Sequence, residues 1–207
     1  MTLLPTNPLA RFFIQGLLWL PVWFAIWYFT APLVSAPVIW LVSLALNSFH
    51  PELIDSVERS GHIAVFVTSL QVSIPNAPPG AMGQVILEKN PLIYSWNLPV
   101  LVALLFATDD RFFSLKKLLW VYVLLLPFHA WGLGFDVLKT LTLDTGPEIA
   151  QQLDYRGWSL EFIGLAYQFG YLMLPVIGAT SIWMGMNQEL IQGLLKHSPD
   201  GTAPKST

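Results

Sequence analysis

FFIQGLLWLPVWFAIWYFTAPLVSAPVIWLVSLALNSFHP, residues 12–51, contains no Asp, Glu, Lys or Arg. As continuous helix, roughly 40 residues reach ~60 Å, about twice the ~30 Å hydrocarbon core of a bilayer. The run therefore spans a membrane with length left over. Phe12 to Ala31 suffices for one crossing, and Trp19, Trp23, Trp27 and Tyr28 are aromatics suited to the membrane–water interface. Pro32 and Pro37 then interrupt the pattern before Val38 to Leu46 resumes it. In one reading the helix continues outward, kinked, as an extension near the interface. In the other the chain turns at Pro32–Pro37 and crosses back. The first is preferred.

The whole chain of 207 residues is 54% hydrophobic and 11% charged, far from the soluble average of about 25% charged. This is the composition of an integral membrane protein. The absence of cysteine excludes disulfides, thiolate metal sites and a cysteine nucleophile. A net charge of −3 with no Lys/Arg cluster gives no reason to expect nucleic acid as a partner. His50, His62 and His197 lack metal-ligand spacing, and no Gly-rich phosphate loop, G-x-S-x-G or H-E-x-x-H is present. No enzyme, metal or cofactor is expected on these grounds.

Five segments follow: a cytoplasmic tail at 1–11, an anchor helix plus outer extension at 12–49, an extracytoplasmic β-rich module at 50–91, a three-helix membrane region at 92–187 and a second cytoplasmic tail at 188–207. The fold class is mostly α and polytopic, with about four transmembrane helices, alternatively five, and the small β-rich insert. Within that insert, Leu53–Arg59 and His62–Thr68 flank the turn signal Ser60-Gly61, and Val72–Ile74 and Gln84–Leu87 add further strand candidates. The Pro75–Gly80 loop separates these last two. Roughly 40 residues bury too little on their own, so the module is expected to lean on the membrane part or on a partner. The later crossings are Leu92–Thr108, broken at Asn97-Leu98-Pro99, then Leu118–Phe135 and Trp158–Met186, with a short surface helix from Pro147 to Leu153.

Basic residues set the orientation. With four crossings and both ends inside, Arg11, Arg111, Lys116, Lys117, Lys196 and Lys205 are cytoplasmic, against Arg59, Lys89, Lys139 and Arg156 outside. The β-rich module stays outside even with five crossings, because the short turn at Arg111–Lys117 fixes it there.

Polar side chains in a bilayer need a partner or a wet cavity. His129 and Asp136 lie seven residues apart on the third crossing, Glu161 and Gln168 seven apart on the fourth, and Asn97 stands on the second. Two helical turns place each pair on one face. These five form a candidate intramembrane cluster with two readings. One is an outward-opening pocket in which Asp136 or Glu161 accepts a proton and His129 shuttles it. The preferred one is hydrogen bonding that holds helices together, in keeping with the glycines crowding the same two helices. Gly164, Tyr171, Gly178 and Gly185 recur every seven residues, as in a packing seam.

An uncharged anchor, an outer β region, then Asn90-Pro91-Leu92-Ile93-Tyr94-Ser95 before Leu98-Pro99, Asp110-Arg111, Leu124-Leu125-Leu126-Pro127 with Trp131-Gly132, Gly146-Pro147, and Tyr167-Gln168-Phe169-Gly170 with Leu174-Pro175 occur in that order. In this order the sequence resembles the exosortase H-associated membrane protein family, small bacterial inner-membrane proteins found alongside an exosortase. The resemblance runs from about Arg11 to Leu195. It implies a non-enzymatic accessory role in protein sorting or processing, with membrane lipids, an exosortase and exported protein as partners. Exosortases are thought to use a cysteine, which this chain lacks. A sorted substrate would end in a Pro-Glu-Pro motif, a helix and a basic tail, unlike Lys205-Ser206-Thr207.

Overall fold

The computed structural model describes residues 8–51, 53–74, 78, 80–108, 114–189 and 191–192. The uncharged run forms two helices, α1 (Pro8–Phe29) and α2 (Ala31–Phe49), separated by Thr30 alone. Helical hydrogen bonding persists on both sides of that residue: the Thr30 amide donates to the Ile26 carbonyl (2.9 Å), and the Leu33 and Val34 amides donate to the Thr30 carbonyl (2.9 and 3.0 Å). Pro32 supplies no amide, which suits the first turn of a new helix. The two helices barely touch each other. α1 lies along α4 (Asn97–Thr108), and α2 lies along α5 (Leu115–Lys139). The segment is therefore bent at one residue and is not a packed hairpin. The Val38–Leu46 stretch belongs to a helix that begins at Ala31 and, at 19 residues, is itself long and apolar enough to cross a membrane.

After α2 comes an antiparallel sheet of β1 (Ile54–Ser60), β2 (Ile63–Ser73) and β3 (Met82–Lys89), in the order β1-β2-β3. Ser60 pairs with Ile63 around Gly61, whose φ of 64° needs a residue without Cβ strain. Val72–Ile74 does not form a separate strand; Val72 and Ser73 complete β2. Most of the loop read at Pro75–Gly80 lies outside the described residues. Alternation decides which face is buried: Ala64, Phe66, Thr68 and Leu70 on β2, with Val85 and Leu87 on β3, turn inward. They join Val38, Ile39, Val42 and Leu46 of α2 and Leu133 and Val137 of α5 in one core. The small module thus leans on the helices, and burying Phe66 completely contributes about 1.5–3 kcal/mol.

The return path is α3 (Leu92–Ser95), a break at Trp96, and α4. The expected charged turn falls largely on residues 109–113, outside those described. α5 runs on through a π-helical turn, Thr140–Asp144, to the short α6 (Pro147–Gln152). The last long helix is α7 (Trp158–Gln168), a second π turn (Phe169–Met173) and α8 (Leu174–Met186). Among the described residues, four helices are long and apolar enough to cross a membrane, at Leu9–Phe29, Ala31–Phe49, Leu115–Asp144 and Trp158–Met186, with Leu92–Thr108 as a shorter apolar helix. The chain is a multi-pass membrane protein.

The expected glycine seam is altered by the second π turn. Gly164 meets Leu143 and Gly178 meets Phe128 and Leu125, but a Cβ at Gly185 would meet nothing within 4 Å, and Tyr171 is exposed. Among the glycines of this last helix the tightest approach belongs to Gly170, outside the seven-residue series: a Cβ there would lie 2.9 Å from Trp131 and 3.1 Å from the Gly132 Cα. A π turn bonds i to i+5 and so slips the register of everything after it. It also precedes Pro175, whose ring and missing amide disturb an ordinary helical turn.

Candidate functional site

Asn97 and His129 are fully buried and face each other, with Asn97 Oδ1 2.7 Å from His129 Nε2. The direction of the bonds follows from the third member. Asn97 Nδ2 donates to the Pro175 carbonyl at 3.0 Å, so its Oδ1 is turned to the imidazole and accepts from Nε2–H. On that assignment Nδ1 is a bare acceptor, and among the described residues it has no hydrogen-bond partner. Three helices, α4, α5 and α8, are tied through this chain of bonds.

Asp136 is engaged differently. Lys89, the last residue of β3, places Nζ 2.8 Å from Asp136 Oδ1 and donates to Thr140 Oγ1 at 2.6 Å. The Lys89 and Asp136 side chains are only 12% and 15% exposed, which keeps water from screening the pair. The Tyr94 hydroxyl faces the same carboxylate, and its ring covers Gly132, where a Cβ would lie 2.3 Å from Cδ1. The ion pair therefore fastens the sheet to α5.

Glu161 and Gln168 do share a face of α7, as their spacing requires, but both are exposed, and among the described residues neither side chain has a hydrogen-bond partner. Of the five residues singled out from the sequence, the structure brings together only Asn97 and His129. Asp136 pairs with residues outside the set, and Glu161 and Gln168 point away. The five therefore do not line one pocket together, the less favoured of the two readings, because seven-residue spacing fixes a common face without saying which neighbour that face meets. Lys89, Thr140, Tyr94 and the Pro175 carbonyl were missed. Only Lys89 carried a signal, as a lone cation ending a strand next to Asn90-Pro91.

Two further features lie toward the sheet. His50, which ends α2, sets Nε2 2.8 Å from the Tyr155 hydroxyl, and burial pushes that hydroxyl above its ordinary pKa. Beside Tyr155 an open cleft of about 670 Å³ runs between the first π turn, α6 and the start of α7, with Leu143, Pro147, Ala150, Arg156 and Leu160 among its walls. Among the described residues, no three of His, Asp and Glu converge as metal ligands.

No curated protein and no solved structure matches the chain. The family model described as exosortase H-associated membrane protein matches residues 6–190, nearly its whole length. The chain thus belongs to the exosortase H-associated membrane protein family.

Proposed function

We propose that this is a non-enzymatic accessory protein of an exosortase-linked sorting system in the bacterial inner membrane, with both termini cytoplasmic. It holds the exosortase through its helices and presents its sheet to exported chains. Family membership supports the exosortase link, and the observation that carries the second half is the asymmetry of the sheet's edges. At the β1 edge the Asn47 side chain takes the place of a neighbouring strand, accepting from the Ile54 amide at 3.0 Å and donating to its carbonyl at 3.4 Å. Where β2 extends past β1, Gln152 Nε2 donates to the Gln71 carbonyl at 3.0 Å. Among the described residues, no backbone group of another element hydrogen-bonds the outer edge of β3. An extended chain can add there by main-chain bonding, with Met82 and Ile86 exposed beside it.

The exposed Glu161, Leu165 and Gln168 on α7 support a membrane partner. An unpaired amide facing hydrocarbon is costly, and a neighbouring helix with a hydrogen-bonding side chain removes that cost. The alternative, a membrane enzyme or transporter, would need Asp136, Glu161, His129 and Gln168 around one cavity, and they face different ways.

Photo-crosslinking in native membranes tests the reading. A crosslinker at Ile86 is expected to capture exported chains, and one at Gln168 an exosortase. Capture of neither class at either position would sink the proposal.

A further inference from the structure

We infer that the cleft between the first π turn, α6 and the start of α7 binds a phospholipid with a zwitterionic, phosphoethanolamine-type headgroup. The cleft lies at the membrane boundary. Leu143 belongs to the last turn of the candidate span Leu115–Asp144, and Leu160 to the first turn of the candidate span Trp158–Met186. The cleft therefore opens where two membrane helices leave the hydrocarbon, and Trp158, 80% exposed, marks the same level as an interfacial aromatic.

Its walls divide into an apolar and a polar side. Leu143, Pro147, Ala150 and Leu160 supply an apolar side along which the start of an acyl chain can lie, while Arg156 and Gln151 supply polar groups. Gly146 and Gly157 contribute walls without side chains, at φ values of 115° and 52°. A volume of about 670 Å³ suits a headgroup with the adjoining glycerol, within the usual range of small-molecule sites.

Charge selects the headgroup. The Arg156 guanidinium sits 3.3 Å from the Asp154 carboxylate, and both side chains are largely exposed (74% and 86%), so water already solvates the pair and it separates at little cost. A phosphate meets the guanidinium fork with two donors. The ammonium of the same headgroup then replaces the cation that Asp154 gives up. A purely anionic headgroup satisfies Arg156 and leaves the carboxylate facing like charge. This binding is distinct from the roles proposed for the β3 edge and the outer face of α7.

Native mass spectrometry of the full chain released from mixed phosphatidylethanolamine and phosphatidylglycerol membranes provides the test. The chain is expected to retain phosphatidylethanolamine in preference to phosphatidylglycerol, and Arg156→Gln to lower that retention about tenfold. Because Arg156 is exposed, the thermal unfolding midpoint of the lipid-free variant should match that of the unaltered chain, and Arg59→Gln on the sheet should retain lipid normally. Equal retention of both lipids, or unchanged retention by Arg156→Gln, overturns the assignment. Soluble O-phosphoethanolamine that stabilises the chain as well as the lipid does overturns the acyl-chain part. A peptide occupying the cleft in place of lipid overturns the whole.

Discussion

Lys89 and Asp136, 47 positions apart in sequence, form an ion pair at 2.8 Å that joins the last residue of the sheet to the last turn of α5. Removing one partner leaves a charge with little access to water. Asp136→Asn is therefore expected to destabilise the protein by about 3 kcal/mol, and Lys89→Met/Asp136→Leu to recover most of that loss. Unfolding in mild detergent of Asp136→Asn, of Lys89→Met and of the double variant measures it.

Gly132 admits no side chain, because Tyr94 occupies the position of its Cβ. Gly132→Ala should cost about 1–3 kcal/mol through overpacking. Gly185→Ala, with open space around it, should leave the melting temperature unchanged or raise it slightly. Equal effects of the two substitutions would contradict the packing described.

The chain of bonds from His129 through Asn97 to Pro175 makes a third prediction. Asn97→Leu strands the imidazole N–H and removes the donor to the Pro175 carbonyl, at a cost of about 1–3 kcal/mol. His129→Leu strands only the Asn97 oxygen and should cost less. The double variant should lose less than the sum of the two, and a double-mutant cycle on chemical denaturation reads the coupling.

Tyr155 gives a pH dependence. Burial raises its pKa above the ordinary 10.0, so the folded chain favours the neutral phenol. The unfolded chain ionises first as pH rises. The contribution to stability is thus intact below pH 10.0 and declines above it. Tyr155→Phe should be about 1 kcal/mol less stable at neutral pH, having lost the His50 contact, and should show a smaller decline in alkali. Thermal unfolding from neutral pH into the alkaline range compares them.

Much of this architecture was legible in local pattern. The alternation in His62–Thr68 and the turn at Ser60-Gly61 mark the hairpin, and Gly146-Pro147 marks the start of α6. Long-range partnership was not. Nothing in the spacing of His129 and Asp136 says that one finds Asn97 and the other a lysine beyond the preceding crossing. Likewise Pro32 and Pro37 suggest an interruption, whereas the actual bend rests on the single residue Thr30, with Pro37 carried inside α2. The exposure of Gln168 had no local signal either, since a seven-residue interval fits an inward face and an outward one equally.

The π turn at Phe169–Met173 has a consequence for how this surface can change over time. One additional residue per turn rotates everything downstream by roughly 100°. The half of the helix carrying Gln168 and the half holding Pro175 against Asn97 are thus set in phase by a count of residues, and no single side chain sets it. Substitutions there adjust contacts one at a time. Deleting one residue would swing Pro175, Gly178 and Ala179 off their neighbours together, so drift in this segment is tolerated by exchange and opposed by change in length.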